Sequence, residues 1–284
     1  MEGDSTPVVS LIGYGVMAEA IIVGLSAQGV IPPDHIRASG PRTERGDLLR
    51  ERYGIVPYRD NAAAVRGAGV VILSVKPQRL EAVITDLRGQ IDPGAVVLSI
   101  VAGATLGHLA AGLNHHYLVR AMPNTPAQIG EGITVWTASS QVTQPQLALA
   151  RQILQALGEE VFVEDENYLD MATALSGTGP AYVFLFMEAL IDAGVHLGFP
   201  RRIAEQLVVQ TVRGSVDYYR ERQAHPAALR NDVTSPGGTS AAALYYLEKA
   251  GFRTALSRAV WAAYERSVEL GKGQAVQPPE HNDL

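Results

Sequence analysis

Cysteine is absent from all 284 residues. That excludes disulfides, thiolate metal sites and a cysteine nucleophile together, and it suits a reducing compartment such as the cytoplasm. Lysine is scarce: only Lys76, Lys249 and Lys272 occur, and none lies between Val163 and Arg230. Charged residues make up 18% and the net charge is −6, with no Lys/Arg cluster to offset it, so a nucleic-acid partner is not expected. The histidines, His35, His108, His115, His116, His196, His225 and His281, show no ligand spacing, and no metal site is expected. His115-His116 reads as surface or sheet edge. Long apolar runs are missing too. The longest, near Tyr182–Met187, is interrupted by Glu188 and Asp192, so no membrane span is expected. The acidic start Met1–Ser5 reads as lacking a secretory signal, and the polar Gln274–Leu284 as a frayed tail.

What is present is an ordinary globular composition, 47% apolar, with length for two modest domains. The first half alternates apolar runs with helical patterns. Strands are predicted at Val8–Ile12, Ile36–Ser39, Val70–Val75, Ala95–Ile100, His116–Arg120 and Thr134–Trp136, and helices at Met17–Gln28, Arg42–Tyr53, Gln78–Leu87 and Leu106–Leu113. Runs apolar throughout, such as Val70–Val75, fit strands buried on both faces, which predicts an α/β doubly wound parallel sheet. After Val163 only helical patterns follow: Asn167–Leu175, Ala181–Leu197, Arg201–Arg220, Ser240–Ala250 and Thr254–Leu270. The expected division is residues 1–164 and 165–284. The helical faces are too apolar for one small layer, so a helix-mediated dimer is expected.

Two loops carry the chemistry. Gly13-Tyr14-Gly15-Val16-Met17-Ala18 follows a strand pattern and opens a helical one, the arrangement that holds a dinucleotide diphosphate. Gly13 makes the turn, Gly15 admits the backbone to the phosphates and Ala18 packs helix on strand. After the second strand, Ser39-Gly40-Pro41-Arg42 offers a hydroxyl and a guanidinium where a carboxylate would favour NAD, with Arg45 nearby, so NADPH is favoured and NADH is the alternative. Ser74-Val75-Lys76-Pro77 and Val101-Ala102-Gly103 end further strands, and Ala102-Gly103 leaves room for a flat ring. Near the end, Thr234–Ser240 places hydroxyls and Gly237-Gly238 before a helical run, with Thr239 or Ser240 as cap: a pocket for a small anion such as a carboxylate. Leu175–Tyr182 reads as a tight helix start with Pro180 at its first position. Ketone or alcohol chemistry wants a general acid or base, which these loops lack; a basic imine nitrogen takes its proton from water, so imine reduction fits better.

Together, Ser-Val-Lys-Pro at 74–77, Met-Pro-Asn-Thr-Pro at 122–126, Leu-Ser-Gly-Thr-Gly-Pro-Ala-Tyr at 175–182 and Thr-Ser-Pro-Gly-Gly-Thr-Ser at 234–240 resemble the pyrroline-5-carboxylate reductases along almost the whole chain. The resemblance implies an N-terminal Rossmann domain and an all-α C-terminal dimerisation domain, with dimers able to assemble as rings of five. It implies NADPH-dependent reduction of 1-pyrroline-5-carboxylate to L-proline in the cytoplasm. By motif match, Gly13–Ala18 hold the diphosphate and Ser39 and Arg42 lie by the 2′-phosphate. Asn61 and Ser74–Pro77 lie near the adenosine; Val101–Gly103 with Pro123 and Asn124 border the nicotinamide. Ser235, Gly238, Thr239 and Ser240 contact the carboxylate and imine, Ser240 being catalytic, and Glu166 borders the substrate. Ser240 replaces the threonine of many relatives. The rivals are a reductase of a related cyclic imine acid, a hydroxyacid dehydrogenase, which needs a lysine early in its helical domain, and an NADP-binding sensor without turnover.

Overall fold

The computed structural model describes residues 6–272, so the readings of Met1–Ser5, His281 and Gln274–Leu284 lie outside the described residues. Elements follow in chain order as β1 (Val9–Ile12), α1 (Val16–Ala27), β2 (Ile36–Ser39), α2 (Thr43–Tyr53), β3 (Val56–Tyr58), α3 (Asn61–Val65), β4 (Val70–Leu73), α4 (Leu80–Leu87), β5 (Val96–Ser99), α5 (Leu106–Leu113), β6 (Leu118–Met122), β7 (Gly132–Ala138), α6 (Gln144–Gln155) and β8 (Gly158–Phe162). Among the described residues only helices come after: α7 (Tyr168–Ala172), α8 (Gly179–His196), α9 (Arg201–Arg222), α10 (Pro226–Asp232), α11 (Thr239–Lys249) and α12 (Phe252–Gly271). By contacts the chain divides into two units. One comprises residues 1–178 with 263–284, and the other residues 179–262.

In the first unit the strands form one sheet in the order β3-β2-β1-β4-β5-β6-β7-β8. All neighbours are parallel except β6 and β7. Every residue of β1, β4 and β5 is buried, as two-faced burial requires of Val-Ser-Leu-Ile, Val-Val-Ile-Leu and Val-Val-Leu-Ser. Each face covers its own core. One contains Ile21, Ile22 and Leu25 of α1 with Ile153 and Leu154 of α6, and the other Val83, Ile84 and Leu87 of α4 with Leu109 and Leu113 of α5.

The second unit consists of α8 to α11 and the first half of α12, and within residues 179–262 only Ala204 is buried. Phe184, Leu185, Leu197, Tyr246 and Trp261 are all exposed.

Three expectations are corrected. Leu175–Gly177 belongs to a π turn, Thr173–Gly177, rather than to a loop opening a helix. The Thr178 N–H bonds to the Thr173 carbonyl, five residues back, at 2.8 Å. Pro180 explains the wider turn: it has no N–H, and its ring crowds the carbonyl of Ser176. Because helix continues through this turn, Tyr168–His196 is long and apolar enough to cross a membrane by length and composition, contrary to the expectation. His115 is buried and its Nε2 lies 2.7 Å from the Ala95 carbonyl, so only His116 of that pair is on the surface.

Candidate functional site

A cleft of about 420 Å3 opens where β1, β2 and β4 end at their carboxyl edges. Gly13, Tyr14 and Gly15 form one wall, and Ser39, Arg42 and Asn61 another. Gly13 has φ +121°, and a Cβ there would stand 2.6 Å from the Ser74 carbonyl oxygen. Its N–H is held by the Ser39 carbonyl at 2.8 Å. Only glycine fits that clamp between β2 and β4. Gly15 is the N-cap of α1, with φ −73° and no side-chain cap. The first N–H groups of α1 therefore face an anion-sized space without a side-chain acceptor. Glu19, in the same turn, does not spoil this field, because it is ion-paired to Arg45 and accepts from the Tyr53 hydroxyl at 2.9 Å. Arg45, expected near a phosphate, is thereby committed elsewhere.

Tyr14 turns its ring under the wall, against Gly40 and Gly46, where a Cβ would collide with it. Its hydroxyl lies 2.6 Å from the Tyr58 carbonyl and 3.1 Å from that of Ala38. Burial, with the nearby charge of Asp47, pushes the phenol above its ordinary range. It stays a neutral structural pin. Ser39 Oγ donates to Asn61 Oδ1 at 2.7 Å, and Asn61 Nδ2 donates to Asp86 Oδ2 at 3.0 Å. Ser74, Val75 and Lys76 also line the cleft. Among the described residues, the side chains of Arg42, Arg59, Lys76 and Arg79, all on this lining, have no hydrogen-bond or ion-pair partner. Asp86 is the one carboxylate on the lining among the described residues.

The other expected cofactor residues lie off this lining. Val16, Met17 and Ala18 form the first turn of α1, with Ala18 fully buried against the sheet. Pro77 begins a short 3-10 turn. Gly103 has φ +76°, and a Cβ there would stand 2.7 Å from the Gly271 nitrogen. On the side to which a Cβ of Gly103 would point, the end of α12 fills the space, and Val101 is buried. Asn124 Oδ1 accepts from the Ile133 N–H at 3.0 Å, fixing the turn after Pro123 to the start of β7.

Glu166 is held from two sides. Its Oε1 accepts from the Leu106 N–H at 2.7 Å, at the start of α5, and from Arg120 at 2.9 Å. Arg120, 3% exposed on β6, also reaches Asp170 at 3.0 Å, and Asp170 accepts from Ser267 of α12 at 2.7 Å. Glu166 is therefore a helix-capping, ion-paired carboxylate as well as a candidate border of the substrate.

In the second unit, Gly237 has φ +71° and Gly238 is the N-cap of α11, without a side-chain cap. Thr239 and Ser240 are the first two helical residues, so neither is the cap, a correction to the expectation. A Cβ on Gly238 would meet Ser235 Oγ at 2.5 Å. Thr234 donates to the Arg230 carbonyl at 2.6 Å, tying the loop to α10. Ser235 and Thr239 are exposed, and Ser240 is half-buried. Sequence reasoning missed Arg59, Arg79, Asp86 and Arg120. For Arg59 the signal was its place after the short run Val56–Tyr58, which was not read as a strand.

Comparison with known proteins supplies the rest. Residues 166–270 match the family described as pyrroline-5-carboxylate reductase dimerisation, and residues 8–103 match NADP oxidoreductase, coenzyme F420-dependent. The pyrroline-5-carboxylate reductase of Synechocystis is 45% identical over 264 residues, covering 93% of this chain and 98% of that protein. The crystal structure of Plasmodium falciparum pyrroline carboxylate reductase with NADP bound aligns with a TM-score of 0.87 at 30% identity, covering 95% of this chain and all of the other. The structure of a pyrroline-5-carboxylate reductase from Coxiella burnetii gives 0.85 at 36% identity, covering 94% of this chain and 99% of the other.

Proposed function

Because the chain belongs to the pyrroline-5-carboxylate reductase family, we propose that it reduces 1-pyrroline-5-carboxylate to L-proline, with NADPH as the reductant. One observation carries the reading at the level of the site. Two helices, α1 and α11, begin on glycine N-caps with no side chain across their N–H groups. The first sits in a cation-lined cleft, suited to a diphosphate; the second follows a hydroxyl-rich loop, suited to a carboxylate.

NADPH, when bound, supplies a hydride to the imine carbon. The chain's own part is positioning. In this reading Gly13–Ala18, Ser39, Arg42, Asn61 and Ser74–Pro77 hold the nucleotide, and Val101–Gly103 with Pro123 and Asn124 border its reactive ring. Ser235, Gly238 and Thr239 hold the substrate carboxylate with Glu166 at its border. Ser240 hydrogen-bonds the ring nitrogen, its oxygen accepting from the N–H once that nitrogen has taken its proton from water. Residues 1–164 are the nucleotide half and 165–284 the substrate and dimerisation half. The assembly proposed is a dimer, with a ring of five dimers as the larger form. We assign it to the cytoplasm, where a chain without cysteine needs no oxidising surroundings.

The test is nicotinamide absorbance with NADPH or NADH and either pyrroline-5-carboxylate or its six-membered homologue. The proposal expects NADPH and the five-membered ring to give the highest kcat/KM. Ser240→Ala should lower kcat about ten- to a hundredfold without weakening NADPH binding. Full activity in that variant removes Ser240 from the chemistry, and faster turnover of the six-membered ring reassigns the substrate.

A further inference from the structure

We propose that Arg59, paired with Arg42, is the residue that selects NADPH over NADH, by gripping the 2′-phosphate of the adenine-side ribose. The inference rests on the nucleotide reading above and goes further by naming the determinant. Strand register is the first observation. Ser39 is paired with Tyr58 across β2 and β3, and the Gly40 N–H reaches the Tyr58 carbonyl at 3.4 Å. Arg59 therefore leaves β3 beside Gly40, which is followed by Pro41 and Arg42, and both arginines line the same cleft.

Charge is the second. Neither guanidinium has a hydrogen-bond or ion-pair partner among the described residues. The carboxylate next to Arg59 in sequence, Asp60, is turned away and caps α3, accepting from Ala62 and Ala63 at 3.1 and 3.3 Å. Arg45 is ion-paired to Glu19. Two fork-shaped donors without counter-charge on one rim suit a dianion, which each can engage with paired N–H bonds.

The polarity of Ser39 is the third. A carboxylate can only accept, so Asp86 fixes the Asn61 NH2 toward itself and the Asn61 oxygen toward Ser39. The Ser39 proton is thereby given to Asn61, and its hydroxyl has only lone pairs left for another group. Lone pairs suit a ribose hydroxyl and oppose a phosphate oxygen. Discrimination in favour of the phosphate then falls to the arginines rather than to Ser39.

Isothermal calorimetry on the full chain, with 2′,5′-ADP and ADP as probes, separates these roles. Arg59→Gln should weaken 2′,5′-ADP about ten- to a hundredfold and leave ADP within about twofold, with an unchanged thermal melt. Arg59→Lys, which keeps the charge but loses the fork, should fall between. The NADPH-to-NADH ratio of kcat/KM should drop in parallel. Parent-like 2′,5′-ADP binding by Arg59→Gln overturns the proposal, as does a loss seen only in Arg42→Gln. A parent chain that binds neither probe overturns the nucleotide reading and this inference with it.

Discussion

Gly13 and Gly15 are neighbours in one turn, yet their side-chain-less positions answer different demands. At Gly13 the demand is internal: φ is +121° and the Ser74 carbonyl occupies the place of a Cβ. At Gly15, φ is −73° and a Cβ would lie 3.8 Å from the same oxygen, an ordinary contact. The two alanine variants should therefore part company. Gly13→Ala should lose about 2 kcal/mol or more of stability, seen as a lower urea midpoint, because strain and a backbone collision add. Gly15→Ala should lose less than about 1 kcal/mol, the usual cost of alanine at an N-cap, while its methyl obstructs the approach of a diphosphate and raises KM for NADPH about tenfold or more. Equal stability losses would mean that the turn is not clamped as described. A parent-like KM in Gly15→Ala would remove the diphosphate from that turn.

Between elements, the tie that matters most is Arg120. It rises from β6 and binds Glu166, which caps α5, and Asp170 of α7, which in turn holds Ser267 of α12. Four elements thus depend on one buried guanidinium. Arg120→Met keeps the bulk and leaves two partly buried carboxylates without their cation, so about 3 kcal/mol should be lost in urea unfolding at neutral pH. A loss below about 0.5 kcal/mol contradicts the network. This tie was not legible in the sequence, because Arg120 lies in an apolar run and its partners come from segments distant in the chain. The central strands β1, β4 and β5 were legible, since two-faced burial writes itself as runs that are apolar but for a small serine. The edge strands β3 and β8 were not: Val56-Pro57-Tyr58 carries a proline that only an edge accepts, and Glu159-Glu160 breaks the apolar pattern of β8 although Glu160 turns inward to accept from Trp136 Nε1. With β3 unread, Arg59 had no strand end to sit on. The helix α6 carries a signal legible in sequence, the capping box of Thr143 and Gln146. Gly103 was legible as a special glycine, but what fills its space is the end of α12, some 170 residues away, which no local pattern could show.

At the scale of the molecule, residues 179–262 pose a stability problem that the single chain does not solve. Ala204 is the only buried residue of that stretch, while Phe184, Leu185 and Trp261 are each more than 60% exposed, at 62%, 66% and 62%. Burying such side chains is worth about 1.5–3 kcal/mol each, so helices that forgo all of it have little to hold them in place. The match to a dimerisation family over residues 166–270 points to a second copy as the cover. Folding of this half and association should then be one process. Light scattering should give at least twice the chain mass with no monomer at micromolar concentration, and the melting temperature should rise with protein concentration, as mass action requires. Leu185→Glu places a charge on the apolar face and should yield a chain with reduced helical circular dichroism, while its sheet-bearing half still binds 2′,5′-ADP. A Leu185→Glu monomer that keeps full helicity would show that the helical half stands alone, and the argument from its missing core would fail.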